Sequence, residues 1–160
     1  MLPVRLPAWK DLIRDPQVLR AGLNVWPTFL FSGVRVTRIA PDLSSAEVVL
    51  RLRPLTANFL GTQYGASMVS MVDPFWVTLL TMRLGPEYQV WDARLEVEFL
   101  KPGRTDVRVQ IEIPDDFVEE VVQAAAGGEK VLRWVSDDVV DRSGAVVCRV
   151  RRQLYIRKKR

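Results

Sequence analysis

Apolar and polar residues along this 160-residue chain fall into helical spacing, into two-residue alternation, and in one stretch into no period at all. Near the start, Asp15 and Pro16 form an N-cap and first-turn proline ahead of Val18, Leu19 and Leu23 at helical spacing, which predicts a helix. Residues 24–33 break that spacing. There Trp26, Pro27, Phe29, Leu30 and Phe31 are too apolar for a free linker, so the segment is expected to pack over a sheet as a lid or collar. A strand is predicted from Val34, a turn at 41–45, and a second strand in which Ala46, Val48, Leu50 and Leu52 oppose Glu47, Arg51 and Arg53. After Gly85 and Pro86 the alternation returns four times: at Ala93, Leu95, Val97 and Phe99; at Val107, Val109, Ile111 and Ile113; at Val131, Arg133 and Val135; and at Val146, Cys148 and Val150. Residues 101–106 (KPGRTD) read as a hairpin turn and 142–144 as the last hairpin. A short helix is predicted over 116–126, capped by Asp115 or Asp116 and stopped by Gly127 and Gly128.

The stretch without a period, 66–84 (ASMVSMVDPFWVTLLTMRL), carries apolar or small residues on every side. That marks a helix enclosed by its neighbours. Six strands, a buried helix after the second and no βαβ repetition predict an α+β fold with an antiparallel sheet. The length fits a single structural domain, with an N-terminal helix and collar over 1–33 and the sheet-and-helix unit over 34–160.

Composition narrows the chemistry. The chain has no histidine, so neither a Ser-His-Asp nor a Cys-His triad can exist, and the commonest transition-metal ligand is missing. Cys148 is the single cysteine, which excludes an intrachain disulfide and fits a reducing, cytoplasmic setting. We expect no metal and no cofactor. The opening residues MLPVRLPAWKDLIRD lack the apolar run of an export signal, and Asp73 and Pro74 argue against membrane insertion of 65–84. The net charge of +4 gathers towards the C-terminus, in Arg149, Arg151, Arg152, Arg157, Lys158, Lys159 and Arg160. Those arginines alternate with core-type residues and lack base-stacking aromatics, so a solvated strand face is expected rather than nucleic-acid binding.

Two groups of residues could carry chemistry. Asp73 is the acid within the enclosed helix, where an unpaired carboxylate would be costly. It either caps a second helical segment starting at Pro74 or stands as a general base in a buried pocket. Asn58, Gly61, Gly65 and Ala66 form a loop entering a helix N-terminus, where free backbone NH groups can hold an anion or a developing oxyanion, or where small residues merely permit close packing. Phe75, Trp76, Met71 and Met82 could line an apolar tunnel or simply fill the core. Ser67 and Ser70, without a histidine base, read as helix hydroxyls bonded to backbone.

The run from Asn58 through Gly61, Tyr64, Gly65 and Ala66 to Asp73 resembles, without a gap, the signature of hotdog-fold acyl-CoA thioesterases of the phenylacetate-pathway type: Asn, two residues, Gly, two residues, His-Gly-Gly, then an acid on the central helix. The strand order and VWDARLEVEFLKPGRTDVRV are similar to that superfamily, and more closely to a bacterial branch known as a domain of unknown function. The likeness covers about residues 34 to 157. It implies a hotdog fold, in which a six-stranded antiparallel sheet wraps around one long central helix. It further implies hydrolysis of an acyl-CoA or acyl-carrier thioester, with Asp73 as nucleophile or base and the NH of Gly65 or Ala66 as oxyanion donor. Asn58 or Gln63 would orient the water or the carboxylate, and Gly61, Gln63 and Tyr64 would border the substrate. Tyr64 stands in place of the family's histidine, Ala66 in place of the second glycine, and Pro74 directly follows the acid. Relatives of this kind pair into homodimers whose sheets join and whose helices lie antiparallel, with sites at the interface and a dimer of dimers as a larger assembly. The alternative is a non-catalytic hotdog protein that binds an acyl or lipid-like ligand.

Overall fold

In the computed structural model, residues 15–159 are described, so the segment read for an export signal lies outside the described residues save Asp15, as does Arg160. Helix α1 (Pro16–Val25) starts as the sequence predicts: the Asp15 carboxylate accepts from the Gln17 and Val18 amides at 2.7 and 3.4 Å. Its Leu19 turns into the core. The collar segment is itself helical, α2 (Pro27–Ser32), closed by Gly33 at φ 82°. Phe29 is buried there, but Trp26, Leu30 and Phe31 stay exposed, so the collar covers the sheet with one ring.

Six strands follow: β1 (Val34–Ile39), β2 (Ser45–Leu50), β3 (Tyr88–Phe99), β4 (Val107–Glu112), β5 (Lys130–Asp141) and β6 (Val146–Lys158). They form one antiparallel sheet in the order β1-β2-β4-β5-β6-β3. The predicted hairpin at 101–106 is therefore corrected. Its proline and glycine do reverse the chain, but β3 pairs with β6 and β4 with β2, so the segment carries the chain from one side of the sheet to the other. Between β4 and β5 lies helix α5 (Asp115–Ala124), N-capped by Pro114 without the side-chain cap expected of Asp115 or Asp116.

Two short helices, α3 (Gly65–Ser70) and α4 (Asp73–Leu84), make up the long segment the sheet wraps around. Pro74 explains the break at Met71 and Val72, because it has no amide to donate back to the preceding turn. Met68, Met71, Val72, Phe75, Trp76, Leu79, Leu80 and Leu84 are buried against Val36, Val48, Leu50, Val109, Ile111, Val150, Leu154 and Ile156 in one apolar cluster. Met71, Phe75 and Trp76 thus belong to the core. The wrapping is incomplete at one border: β3 is an edge strand, and Leu95 and Phe99, on the sheet's inner side, remain 40% and 54% exposed.

Candidate functional site

The loop that leads into α3 is tied down by neutral hydrogen bonds. The Asn58 side chain accepts from the Leu60 and Thr62 amides at 3.0 and 3.1 Å and donates to the Thr62 hydroxyl and the Gln63 carbonyl at 2.9 and 3.3 Å. Asn58 thereby builds the turn, with Gly61 at its tip in the left-handed conformation at φ 71°. Gln63 is 2% exposed; its amide nitrogen donates to the Leu50 carbonyl at 3.1 Å and the Thr105 carbonyl at 3.0 Å. Its backbone amide donates to the Gly103 carbonyl at 2.8 Å. Gln63 therefore joins the loop to β2 and to the 101–106 connection. Asn58 closes its own turn and the Gln63 amide nitrogen anchors the loop, while among the described residues the buried Gln63 Oε1 has no donor.

What that scaffold presents is Tyr64, Gly65 and Ala66. Tyr64 is 54% exposed, Ala66 is exposed, and Gly65 lies half-buried against β3. A Cβ at position 65 would stand 3.0 Å from the tip of the Phe99 ring, so this glycine lets the loop approach β3 closely. Tyr64 caps α3 with no side-chain hydrogen bond, and among the described residues the Gly65 and Ala66 amides donate to no protein acceptor.

Asp73 differs from both expectations. Its side chain is exposed, not buried, and Val72 rather than Asp73 occupies the N-cap of α4, so the carboxylate ties off no backbone amide. The reason is that the broken helix turns this residue away from the sheet and into the gap left beside the edge strand. Beneath it lies a charged group that corrects the reading of the C-terminal arginines as a solvated strand face, because one of them points into the core. Arg152, fully buried on β6, donates through Nη1 to the Asp73 carbonyl at 2.6 Å and to Asp92 Oδ2 at 3.0 Å. Asp137, on β5 and 5% exposed, accepts from Trp76 Nε1 at 2.9 and 3.2 Å.

Burial pushes the Asp137 carboxyl up to about 6, against the opposing pull of the Trp76 hydrogen bond and the Arg152 charge. Asp92 is also raised, first by desolvation; Arg152 pulls it down, while the neighbouring Asp73 charge adds to the rise. A signal for these residues did exist. Arg152 shares its phase with Cys148, Val150, Leu154 and Ile156, and Asp137 with Val131, Val135 and Val139, so two-residue alternation puts both on the inner face.

The structure does not bring Asp73 together with the loop donors of the same chain. Gly65 and Asp73 stand eight positions apart on the helical segment, and a helix rises about 1.5 Å per residue, or roughly 12 Å in all. A single carbonyl carbon cannot reach both. Cys148 is buried, and burial pushes its thiol up to about 11, which removes it as a nucleophile. Among the described residues no group of three or more His, Cys, Asp or Glu side chains could hold a metal ion, and no helix is long and apolar enough to cross a membrane. A cleft of about 620 Å³ opens where β4 and β5 part, lined by Thr37, Glu47, Arg108, Gln110, Ser136 and Asp138 among others. It touches neither Asp73 nor the 58–66 loop. Arg149 and Arg151 pair with Asp138 and Glu96, so the basic C-terminal strand is partly neutralised within the chain.

No curated protein matches this chain. Solved structures do. A Pseudomonas aeruginosa protein of unknown function, given as a probable thioesterase, is similar with a TM-score of 0.80 at 15% identity, over 91% of this chain and 99% of that one. A Haemophilus influenzae thioesterase is similar with a TM-score of 0.64 at 13% identity, over 90% and 91% of the two chains. A Chlorobaculum tepidum protein of unknown function gives a TM-score of 0.70 at 12% identity, over 91% and 98%. At such identities the likeness is one of fold, and the fold is the hotdog: an antiparallel sheet curled around a central helical segment. With a family model matched over residues 16–156, this hotdog-fold chain belongs to the family described as Domain of unknown function (DUF4442).

Proposed function

We propose that the protein is a thioester hydrolase acting on an acyl-CoA or acyl-carrier thioester, with its sites shared between two copies of the chain. The observation that carries this reading is the exposed Asp73 carboxylate, which accepts no hydrogen bond among the described residues although its own backbone is pinned from below. A carboxylate left uncommitted on a largely apolar helical segment is available to a substrate. The thioesterase names of fold neighbours support the same reaction class.

The separation of Gly65 from Asp73 explains why a second copy is needed. Two helical segments lying antiparallel about a two-fold axis would bring the Gly65 and Ala66 amides of one copy towards Asp73 of the other. Strand β3 supports that pairing. Among the described residues it is a 12-residue edge strand with an unpaired outer side and with Trp91, Leu95 and Phe99 exposed, a surface that single chains in solution rarely leave open.

In the step we infer, Asp73 takes a proton from a water molecule whose oxygen attacks the thioester carbonyl carbon. The developing oxyanion receives hydrogen bonds from the backbone amides at Gly65 and Ala66. Collapse of the tetrahedral intermediate breaks the C–S bond, and the thiol leaves with the proton that Asp73 had taken. The alanine at 66 keeps its amide, and so does not weaken this part. Tyr64, exposed beside those amides, borders the substrate where relatives carry histidine.

Turnover of a panel of acyl-CoAs by wild type and by Asp73→Ala tests the reading. A loss on the order of 100-fold or more in kcat is expected for the variant, and equal rates from both proteins would sink it. The second reading, a non-catalytic acyl binder, is favoured by the exposed collar residues Val25, Trp26, Leu30 and Phe31. It predicts acyl ligand retained in native mass spectra alongside no turnover by wild type.

A further inference from the structure

Arg152 is the most expensive residue in the core. Its side chain is fully buried, and a guanidinium taken out of water costs several kcal/mol unless partners offset the loss. The partners here are few. Nη1 serves both the Asp73 carbonyl and Asp92, while among the described residues Nε and Nη2 have no acceptor and Asp92 Oδ1 has no donor. An apolar side chain would fill the same space at lower cost, so satisfaction of its own hydrogen bonds does not account for this arginine.

Its location does. The Asp73 carbonyl sits at the junction of α3 and α4, where Pro74 has no amide to give the preceding turn, so no continuous backbone ladder joins the start of α4 to α3. The bulge between Asp92 and Arg94 serves the same arrangement, because it keeps Asp92 on the inner face together with Leu95 and Val97. Asp137, held by Trp76 of α4, supplies negative charge from the neighbouring strand. The sheet thus reaches up through a single cation to grip the one residue of α4 whose carboxylate faces outward.

We propose that Arg152, with Asp92 as its counter-ion, is a positioning residue for Asp73: it fixes the start of α4 through the Asp73 carbonyl, so that the carboxylate keeps one direction towards the substrate. This rests on the thioester-hydrolase reading for what Asp73 does, but not for how Asp73 is held.

The experiment compares wild type, Arg152→Met, Asp92→Asn and the double variant Asp92→Asn/Arg152→Met, using the acyl-CoA that wild type turns over best. Arg152→Met alone strands buried carboxylates and is expected to lose stability and kcat together. The double variant removes both charges, so its melting temperature recovers. Its kcat is nevertheless expected to stay on the order of 10- to 100-fold below wild type with KM within about twofold, because a misdirected group costs rate rather than binding. A double variant with wild-type kcat would overturn the inference and leave the hydrolase reading standing. Should wild type turn over none of the panel, the hydrolase reading fails, and amide hydrogen exchange decides the inference without substrate. Faster exchange over 75–79 in the double variant, on the order of 10-fold with the rest of α4 unchanged, upholds the grip on the helix start, and wild-type exchange there refutes it.

Discussion

At the Gly65 end of the helical segment the sheet holds on with neutral amides, and at the Asp73 end it holds on with ions. Gln63 reaches the Leu50 and Thr105 carbonyls and Asn58 closes its own turn, so the loop before α3 is fixed by groups that do not titrate. Below the start of α4, Arg152, Asp92 and Asp137 gather one positive and two potential negative charges in a space mostly closed to water. Both devices fix backbone next to a group proposed to touch substrate. The difference teaches what each group requires. A backbone amide needs only a rigid loop behind it, whereas a carboxylate placed near other acids needs a cation to keep its surroundings from becoming too negative.

If that contrast is right, the two ends respond differently to pH, and the largest effect comes from Asp137. Its carboxyl titrates near 6 in the fold against an ordinary 3.8, so the folded state keeps the proton over a range where the unfolded chain has lost it. The associated stability is complete below about pH 3.8 and is lost as pH rises through about 6, amounting to about 3 kcal/mol at roughly 1.4 kcal/mol per unit. Burial sets the rise first; Trp76 and Arg152 favour the charged form against it, and Asp138 and Asp92 add to it. Asp137→Asn stays neutral at every pH, and its amide oxygen can still accept from Trp76. Urea unfolding at about pH 4 and about pH 7.5 should therefore show wild type losing most of this, between about 2 and 3 kcal/mol, relative to the variant, since at pH 4 the unfolded carboxyl is already partly ionised. Parallel curves for the two proteins would mean that Asp137 is not held as described.

The outline of this fold was legible in the chain because nearly every strand repeats with period two, and because 66–84 repeats with no period. Partners across the sheet were not legible from turn chemistry. The proline and glycine of KPGRTD announce a reversal, but only the pairing of β3 with β6 says where the reversed chain goes. Asp73 was misplaced for a related reason: a helix apolar on every side reads as enclosed on every side, and the side left open lies beside an edge strand whose own apolar residues, Leu95 and Phe99, also await a cover. Arg152 was hidden by its neighbours. Grouped by charge with Arg149 and Arg151 it looks solvated, while its phase with Val150 and Leu154 puts it in the core. Alternation was the stronger physical signal, because on a strand it decides which face a side chain occupies.

The neutral end predicts a smaller and flatter response. Gln63→Leu keeps most of the side-chain volume but strips the donor from the Leu50 and Thr105 carbonyls. Leaving buried acceptors unpaired costs about 1 to 3 kcal/mol, and a loss of about 2 is expected here. Its size should be the same at about pH 4 and about pH 7.5, since no titratable group is involved. A pH-dependent loss at Gln63 would erase the distinction between the two ends, as would a pH-independent one at Asp137.

The smallest effect probes the loop's contact with β3. Gly65 has no positive φ to require glycine, so an alanine there meets a packing problem alone: its Cβ would stand 3.0 Å from the tip of the Phe99 ring. Phe99 is 54% exposed and can swing aside, which limits the cost of overpacking to about 1 kcal/mol, at the low end of what tighter cores show. Alanine also favours the helix over glycine by up to about 1 kcal/mol, so the net change in melting temperature should be slight. The informative measurement is the double cycle with Phe99→Leu. With the ring gone, the helical preference of alanine should emerge as a net gain, and the coupling between the two positions should exceed about 0.5 kcal/mol. Additive effects would mean that β3 does not press on the start of α3, and the edge strand would then have no part in shaping the amides proposed to hold the oxyanion.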